Sequence, residues 1–198
     1  MSNTKDLLIE LGTEELPPKE LKKLMLGFKF GIIEGLRKAE LNFSSTKAYA
    51  TPRRLAVVVH DVDVSQRERL VERRGPPINI AFDANGNGTK VLEGFARSCG
   101  VVVDDLKRVT TKKGVWLVYR QRERGADPVA IISDILQKTV MNLPIDKPMR
   151  WGDLRCEFVR PVHWLVLLFG GEVVPVELLG VTSGRNSYGH RSHNPEAI

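Results

Sequence analysis

The chain is short of cysteine, of long apolar runs and of familiar catalytic motifs, and each shortage narrows what it can be. Its two cysteines, Cys99 and Cys156, show no CxxC spacing. They read as small buried residues in a reducing compartment, whereas a structural zinc site needs four ligands at closer spacing. The longest apolar run, Val162 to Phe169, is broken by His163 and falls far short of a bilayer span. Near the start, Leu7 to Leu11 is too short for a signal peptide and is interrupted by Glu10. A soluble, cytoplasmic protein with no membrane partner is expected. GxSxG, HExxH and GxGxxG do not occur, and Gly86 to Lys90 lacks the glycine spacing and residue order of a Walker A loop. There is no internal repeat or low-complexity tract.

What is present suits an ordinary globular protein of 198 residues, with 42% hydrophobic and 27% charged residues. That length allows one domain or two small ones, with a core that needs no staples. The net charge of +6, from 30 Lys+Arg against 24 Asp+Glu, permits nucleic-acid binding without requiring it.

Hydrophobic periodicity places the elements. Leu7 to Leu11 reads as a buried strand ended by Gly12. Pro17-Pro18 opens a helix to about Ala39, with Leu21, Leu24, Phe28, Ile32 and Leu36 on one face. Gly27, Gly31 and Gly35 form a second row on that helix. Each costs roughly 1 kcal/mol against Ala in a helix interior, so the row predicts a face pressed onto a sheet or another helix. Strands follow at Thr46 to Ala50, Leu55 to Val62 and Arg67 to Arg73, the last stopped by Gly75-Pro76-Pro77. Asp83 to Gly88 is a turn. It resembles the start of an EF-hand loop, but the bidentate Glu would have to stand at Gly94, so calcium is rejected. Thr89 caps a helix to Cys99, stopped by Gly100. Lys107 to Thr111 and Val115 to Glu123 form a hairpin, and Asp127-Pro128 opens a helix to Asn142. Leu143 to Pro161 is irregular, and strands return at Trp164 to Phe169 and Glu172 to Leu178. This order predicts an α+β fold, with mixed or antiparallel sheets and packed helices.

The most basic stretch, Lys107 to Arg124, holds seven Lys+Arg and one Glu. On a strand, Arg120, Arg122 and Arg124 share a face with Trp116, an arrangement suited to phosphates and stacked bases. A solvated sheet edge explains the same charges. Arg53-Arg54 and Arg73-Arg74 stand at element ends, where binding residues tend to lie. In Lys147 to Gly152, Trp151 either stacks on a partner or folds back into the core with Arg150 on its face. His190 and His193 lack a third ligand and read as surface histidines. Glu10, Glu14 and Glu15 cluster at a strand end, but nothing else supports a catalytic role. Helix N-terminal electrostatics explains Glu14 and Glu15.

Longer strings carry a resemblance. LLIELGTEELPPK (Leu7 to Lys19), ATPRRLAV (Ala50 to Val57), ERRGPPI (Glu72 to Ile78), KPMRWGD (Lys147 to Asp153), FVRPVHWLVLLFG (Phe158 to Gly170) and SGRNSYGHR (Ser183 to Arg191) stand in order along the chain. Together they resemble the bacterial glycyl-tRNA synthetase β subunit, in its N-terminal region. Two departures are visible: Ser192 stands where the family usually has an aromatic, and family members are several times longer. Residues 1–198 are therefore read as one N-terminal region of a longer chain.

The resemblance implies a ligase of protein biosynthesis that joins glycine to tRNA(Gly). It implies a heterotetramer of two α and two β subunits, with ATP and Mg2+ used by the α subunit and no cofactor held in this segment. The fold implied resembles the B3/B4 module of the phenylalanyl-tRNA synthetase β subunit, which houses editing. No catalytic residue is carried over. The segment is expected to position tRNA or to dock subunits and domains; the alternatives are a vestigial deacylase or a purely structural interaction domain. Arginine's rigid fork of donors suits phosphate. The candidate tRNA contacts are Arg53, Arg54, Arg73, Arg74, Arg150 and Arg160, then Arg120, Arg122 and Arg185. For Arg160, before a core strand, an ion pair with a carboxylate is the plain alternative.

Overall fold

The computed structural model describes residues 3–66, 69–83, 87–111, 114–123, 125–189 and 196–198, except the side chains of Arg69, Arg122 and Glu123. The chain divides into two compact units, a larger one of Met1–Gln66 and Ala126–Ile198 and a smaller one of Arg67–Gly125. The smaller unit is thus inserted in the sequence of the larger. The strands and helices bear out an α+β architecture.

In the larger unit, β1 (Thr4–Thr13) is central and pairs antiparallel with β3 (Arg54–Asp63) and β7 (Val162–Phe169). The hairpin partner of β3 is β2 (Ser45–Thr51). Strand alternation sends Leu7, Ile9 and Leu11 to one face, where they join a core with Leu55, Val57, Leu165 and Leu167. Two helices add to that core. From α1 (Pro18–Lys38) come Leu24, Phe28, Ile32 and Leu36; from α4 (Pro128–Met141) come Ile132, Leu136 and Val140. The glycine row of α1 faces α4 and the segment after it. A Cβ on Gly31 would stand 2.5 Å from Thr139 Cγ2, one on Gly35 2.5 Å from Ile135 Cγ2, and one on Gly27 2.8 Å from Pro144 Cδ. The predicted close approach is therefore helix on helix.

The end of the chain departs from the expected single strand over Glu172 to Leu178. It forms β8 (Glu172–Val173), β9 (Glu177–Leu178) and β10 (Val181–Gly184) instead. Pro175 interrupts the run because it has no N–H for a ladder. The Ser183 hydroxyl bridges the gap, accepting from Val176 N at 2.9 Å and donating to the Val174 carbonyl at 2.7 Å. β10 then runs parallel to β7.

In the smaller unit, β4 (Arg69–Pro77), β6 (Gly114–Glu123) and β5 (Lys107–Thr111) form a three-stranded antiparallel sheet in that order. β4 passes the predicted stop at Gly75 and reaches Pro77 through an irregularity in register. A short helix α2 (Ile78–Ala81) leads to α3 (Lys90–Cys99). The α3 caps are as expected: Thr89 accepts from Leu92 N, and Gly100 ends the helix at φ 71°. Leu117 packs with Ala81 and Leu92, and the Phe95 ring lies where a Cβ on Gly75 would stand. The turn at Asp83 is an Asx turn, with Asn87 N donating to Asp83 Oδ1 at 2.8 Å. Asn85 and Gly86 lie outside the described residues.

One surface pair has a pH signature. Asp61 turns in the left-handed region at φ 56°, and its N–H donates to Asp6 Oδ1 at 3.0 Å. This bond, then His60 Nδ1 3.0 Å from Oδ2, holds the Asp6 carboxyl below its ordinary value. A depressed carboxyl adds stability above its unfolded pKa, and that stability is lost as pH falls through the folded one. Exposed pairs of this kind contribute at most about 1 kcal/mol. Asp6→Asn should therefore melt slightly below the parent at pH 7, with the gap closing below the carboxylate range. A gap in thermal denaturation that widens in acid would contradict this.

Candidate functional site

Three of the sequence blocks meet at one end of the larger sheet, and residues 183–189 of a fourth join them. Gly12 on β1 stands opposite Arg54 on one side and Trp164 on the other. The indole lies across the glycine, since a Cβ there would fall 1.9 Å from Trp164 Cε2. Glu10 points to the same face and is only 8% exposed. Its Oε1 accepts from Trp164 Nε1 at 2.7 Å and from the Ser187 hydroxyl at 2.6 Å. Arg54 Nε lies 3.2 Å from that oxygen, an ion pair out of hydrogen-bond alignment, and Arg54 Nη2 donates to the Tyr188 carbonyl. The guanidinium sits 5.7 Å from the Trp164 ring, which the Tyr188 ring meets edge-on at 5.2 Å. A buried carboxylate is tolerable only when its lone pairs and charge are matched, and here a cation, an indole and a hydroxyl match it. The cluster ties Ser187 and Tyr188 onto the sheet. Glu10 was legible as an acid inside an apolar strand; its partners were not.

The neighbouring arginines also bond within the fold. Arg53 Nε donates to the Thr13 carbonyl at 3.2 Å and its Nη2 lies 3.5 Å from Glu14 Oε1. His163 Nε2 lies 2.8 Å from the same Glu14 oxygen, so Glu14 serves a side-chain cluster rather than the helix end. Arg160 donates to the Glu15 and Val159 carbonyls at 3.1 and 2.8 Å, in place of the carboxylate pair considered above. Arg150 pairs with Glu157 at 2.8 Å, while Trp151 packs against the core. Arg185 is exposed, donates to the Gly171 carbonyl at 3.3 Å, and lines an open groove of about 570 Å3 with Trp164, Asn186 and Tyr188. His190, Arg191 and His193 lie outside the described residues.

The smaller unit is built differently. Strand alternation turns Arg74 away from α3, and its guanidinium lies 3.9 Å from the centroid of the Trp116 ring. Arg73, next along, shares the α3 side with Gly75 and is exposed. Arg120 stands opposite Glu72, with Nε 2.7 Å from Oε2. Lys107 lies across from Val118, on the same face as Trp116 and Arg120. Position 122 falls on this face too, but the Arg122 side chain lies outside the described residues, as do Lys112, Lys113 and Arg124.

Charge is divided unequally between the units. Residues 67–125 hold 13 Lys+Arg against 7 Asp+Glu, leaving 17 of each in the larger unit. The whole excess of +6 therefore lies in the smaller unit. Among the described residues, no three His, Cys, Asp or Glu side chains group to hold a metal, and no helix is long and apolar enough to cross a membrane.

Comparison with known proteins is direct. The family described as glycyl-tRNA synthetase beta subunit matches residues 7–198. The chain is 53% identical over 192 residues to the glycine–tRNA ligase beta subunit of Chromohalobacter salexigens, covering 97% of this chain and 28% of that protein. It is 49% identical over 196 residues to the protein of that name from Hahella chejuensis, covering 99% and 28%. For Marinobacter nauticus the figures are 47% over 195 residues, covering 98% and 28%. The chain thus spans about 28% of the length of the curated relatives it matches. With matches this extensive, it belongs to the glycyl-tRNA synthetase beta subunit family.

Proposed function

We propose that this chain is the N-terminal part of the β subunit of a cytoplasmic glycine–tRNA ligase, and that its task is to position tRNA(Gly). In this reading the α subunit joins glycine to tRNA with ATP and Mg2+, in an assembly of two α and two β subunits. No chemical step is assigned to this chain. The B3/B4-like fold is a finer reading that rests on the sequence blocks.

The observation that carries the proposal is the charge division. A unit with an excess of +6 is attracted to a polyanion, while the other unit is balanced. Two features that could suit docking, the glycine row and Trp164, are used within the fold: Thr139, Ile135 and Pro144 occupy the row and the Glu10 cluster holds Trp164. Ser187 offers a deacylase no free nucleophile–base pair, because it bonds to a carboxylate already shared by Trp164 and Arg54.

The test is fluorescence anisotropy of labelled tRNA(Gly) with this chain across a salt series. Binding should weaken linearly in log–log form, with a slope of about −0.7 to −0.9 per neutralised phosphate. No binding at low salt would remove the positioning role.

A further inference from the structure

The smaller unit has a face that its own helix does not use. Leu117 and Gly75 look toward α2 and α3, where Ala81, Leu92 and Phe95 meet them. The opposite face carries Arg74, Glu72 and Leu70 of β4, Trp116, Val118 and Arg120 of β6, and Lys107 of β5; Val118 is buried there, with the charged side chains around it. Leu70 is 69% exposed, and Arg74, Arg120 and Lys107 are also exposed. Arg74 and Lys107 both stand opposite Val118, one on each side of β6. Strands lie about 4.8 Å apart, so these two cations are spaced roughly 10 Å across the sheet.

We infer that the exposed cations of this sheet face are the RNA-contact surface of the chain, gripping the phosphate backbone through Arg74, Lys107 and Arg120. The inference rests on the tRNA-positioning reading above and specifies its site. Three features converge here. The unit holds all of the chain's net positive charge. The cations share one face, whereas Arg53, Arg54 and Arg160 of the larger unit bond to its own carbonyls and carboxylates. Trp116 holds the Arg74 guanidinium against its ring, which limits the rotamers Arg74 would otherwise lose on binding. Arg74 can then present its N–H edges to a phosphate while its plane rests on the indole. Trp116 is a positioning residue in this scheme. Glu72 lowers the local charge but also orients Arg120 across the strand pair.

The experiment is the tRNA salt titration on the 198-residue chain, with two sets of variants checked for folding by circular dichroism. Arg74→Gln, Lys107→Gln and Arg120→Gln should each weaken binding by about threefold to tenfold and make the salt slope shallower by about one. Lys90→Gln with Arg97→Gln, on exposed positions of α3, should leave both quantities unchanged. Trp116→Leu should weaken binding without changing the slope, because no charge is removed, and Trp116→Phe should restore part of the loss. If a combined variant misfolds, the single ones decide.

Three results would overturn the inference while leaving tRNA positioning intact. In the first, the face variants bind as the parent does. In the second, the α3 pair loses binding instead. In the third, the face variants lose the α subunit but keep tRNA, which would make this a protein-docking face. A parent chain that binds no tRNA removes the inference and the positioning role together.

Discussion

Gly31→Leu should lower the melting temperature of this chain by about 10 °C or more, the largest stability effect expected of any single change. A Cβ alone at position 31 would stand 2.5 Å from Thr139 Cγ2 and 2.9 Å from its Oγ1. Leucine adds three further carbons to that contact, and Thr139 is itself buried on α4. Helix–helix separation would have to grow, opening the core around Phe28, Ile32 and Leu136. Overpacking commonly costs about 1–3 kcal/mol, and a branched side chain against a facing helix belongs at or above the top of that range. Gly31→Ala gives a sharper test because its sign is in question. On an open helix face, alanine would stabilise by about 1 kcal/mol through propensity alone. Against Thr139 it should be neutral or destabilising. Stabilisation by the full propensity difference, read in thermal denaturation, would mean that the glycine row does not set the α1–α4 spacing.

Gly12→Ala should be the second largest, at about 2–3 kcal/mol, and its damage should centre on Trp164. The new methyl would occupy the indole ring's own position, with Cε2, Cδ2 and Cε3 at 1.9 to 2.3 Å. Displacing the ring breaks its bond to Glu10 and its edge contact with Tyr188. Glu10 is then left buried with fewer donors, the costly half of the change. The prediction is checked by a double-mutant cycle with Trp164→Leu. In that background Gly12→Ala should cost less, giving a coupling of about 1–2 kcal/mol. Additive effects would show that the glycine is needed for something other than room for the indole.

Much of the local structure was legible in the sequence. Leu24, Phe28, Ile32 and Leu36 marked the buried face of α1, which begins at Pro18. Thr89 and Gly100 marked the ends of α3 because each satisfies or relieves a specific backbone requirement. The last strands were not legible for equally local reasons. β9 and β10 meet through Leu179 and Gly180, at φ 54° and 81°, a turn usually signalled by Asn-Gly or Asp-Gly. Two-residue strands show no alternation to detect, and the parallel pairing of β10 with β7 has no short-range signal.

By itself the sequence determined the family, through ordered blocks spread along the chain, and the positions of its main helices and hairpins. Those features depend on neighbours a few residues away. It offered nine arginines, six ahead of three, with little physical ground to rank them, because every guanidinium carries the same charge and fork of donors. Only the tertiary structure separated them. Arg54 meets Glu10 from a strand more than forty residues away, and Arg160 meets the Glu15 carbonyl from 145 residues further along the chain. Arg74 instead lies exposed on an indole, in the unit that holds the entire charge excess. Whether a cation braces a fold or faces a ligand depends on what long-range pairing places opposite it, and one-dimensional spacing does not contain that information.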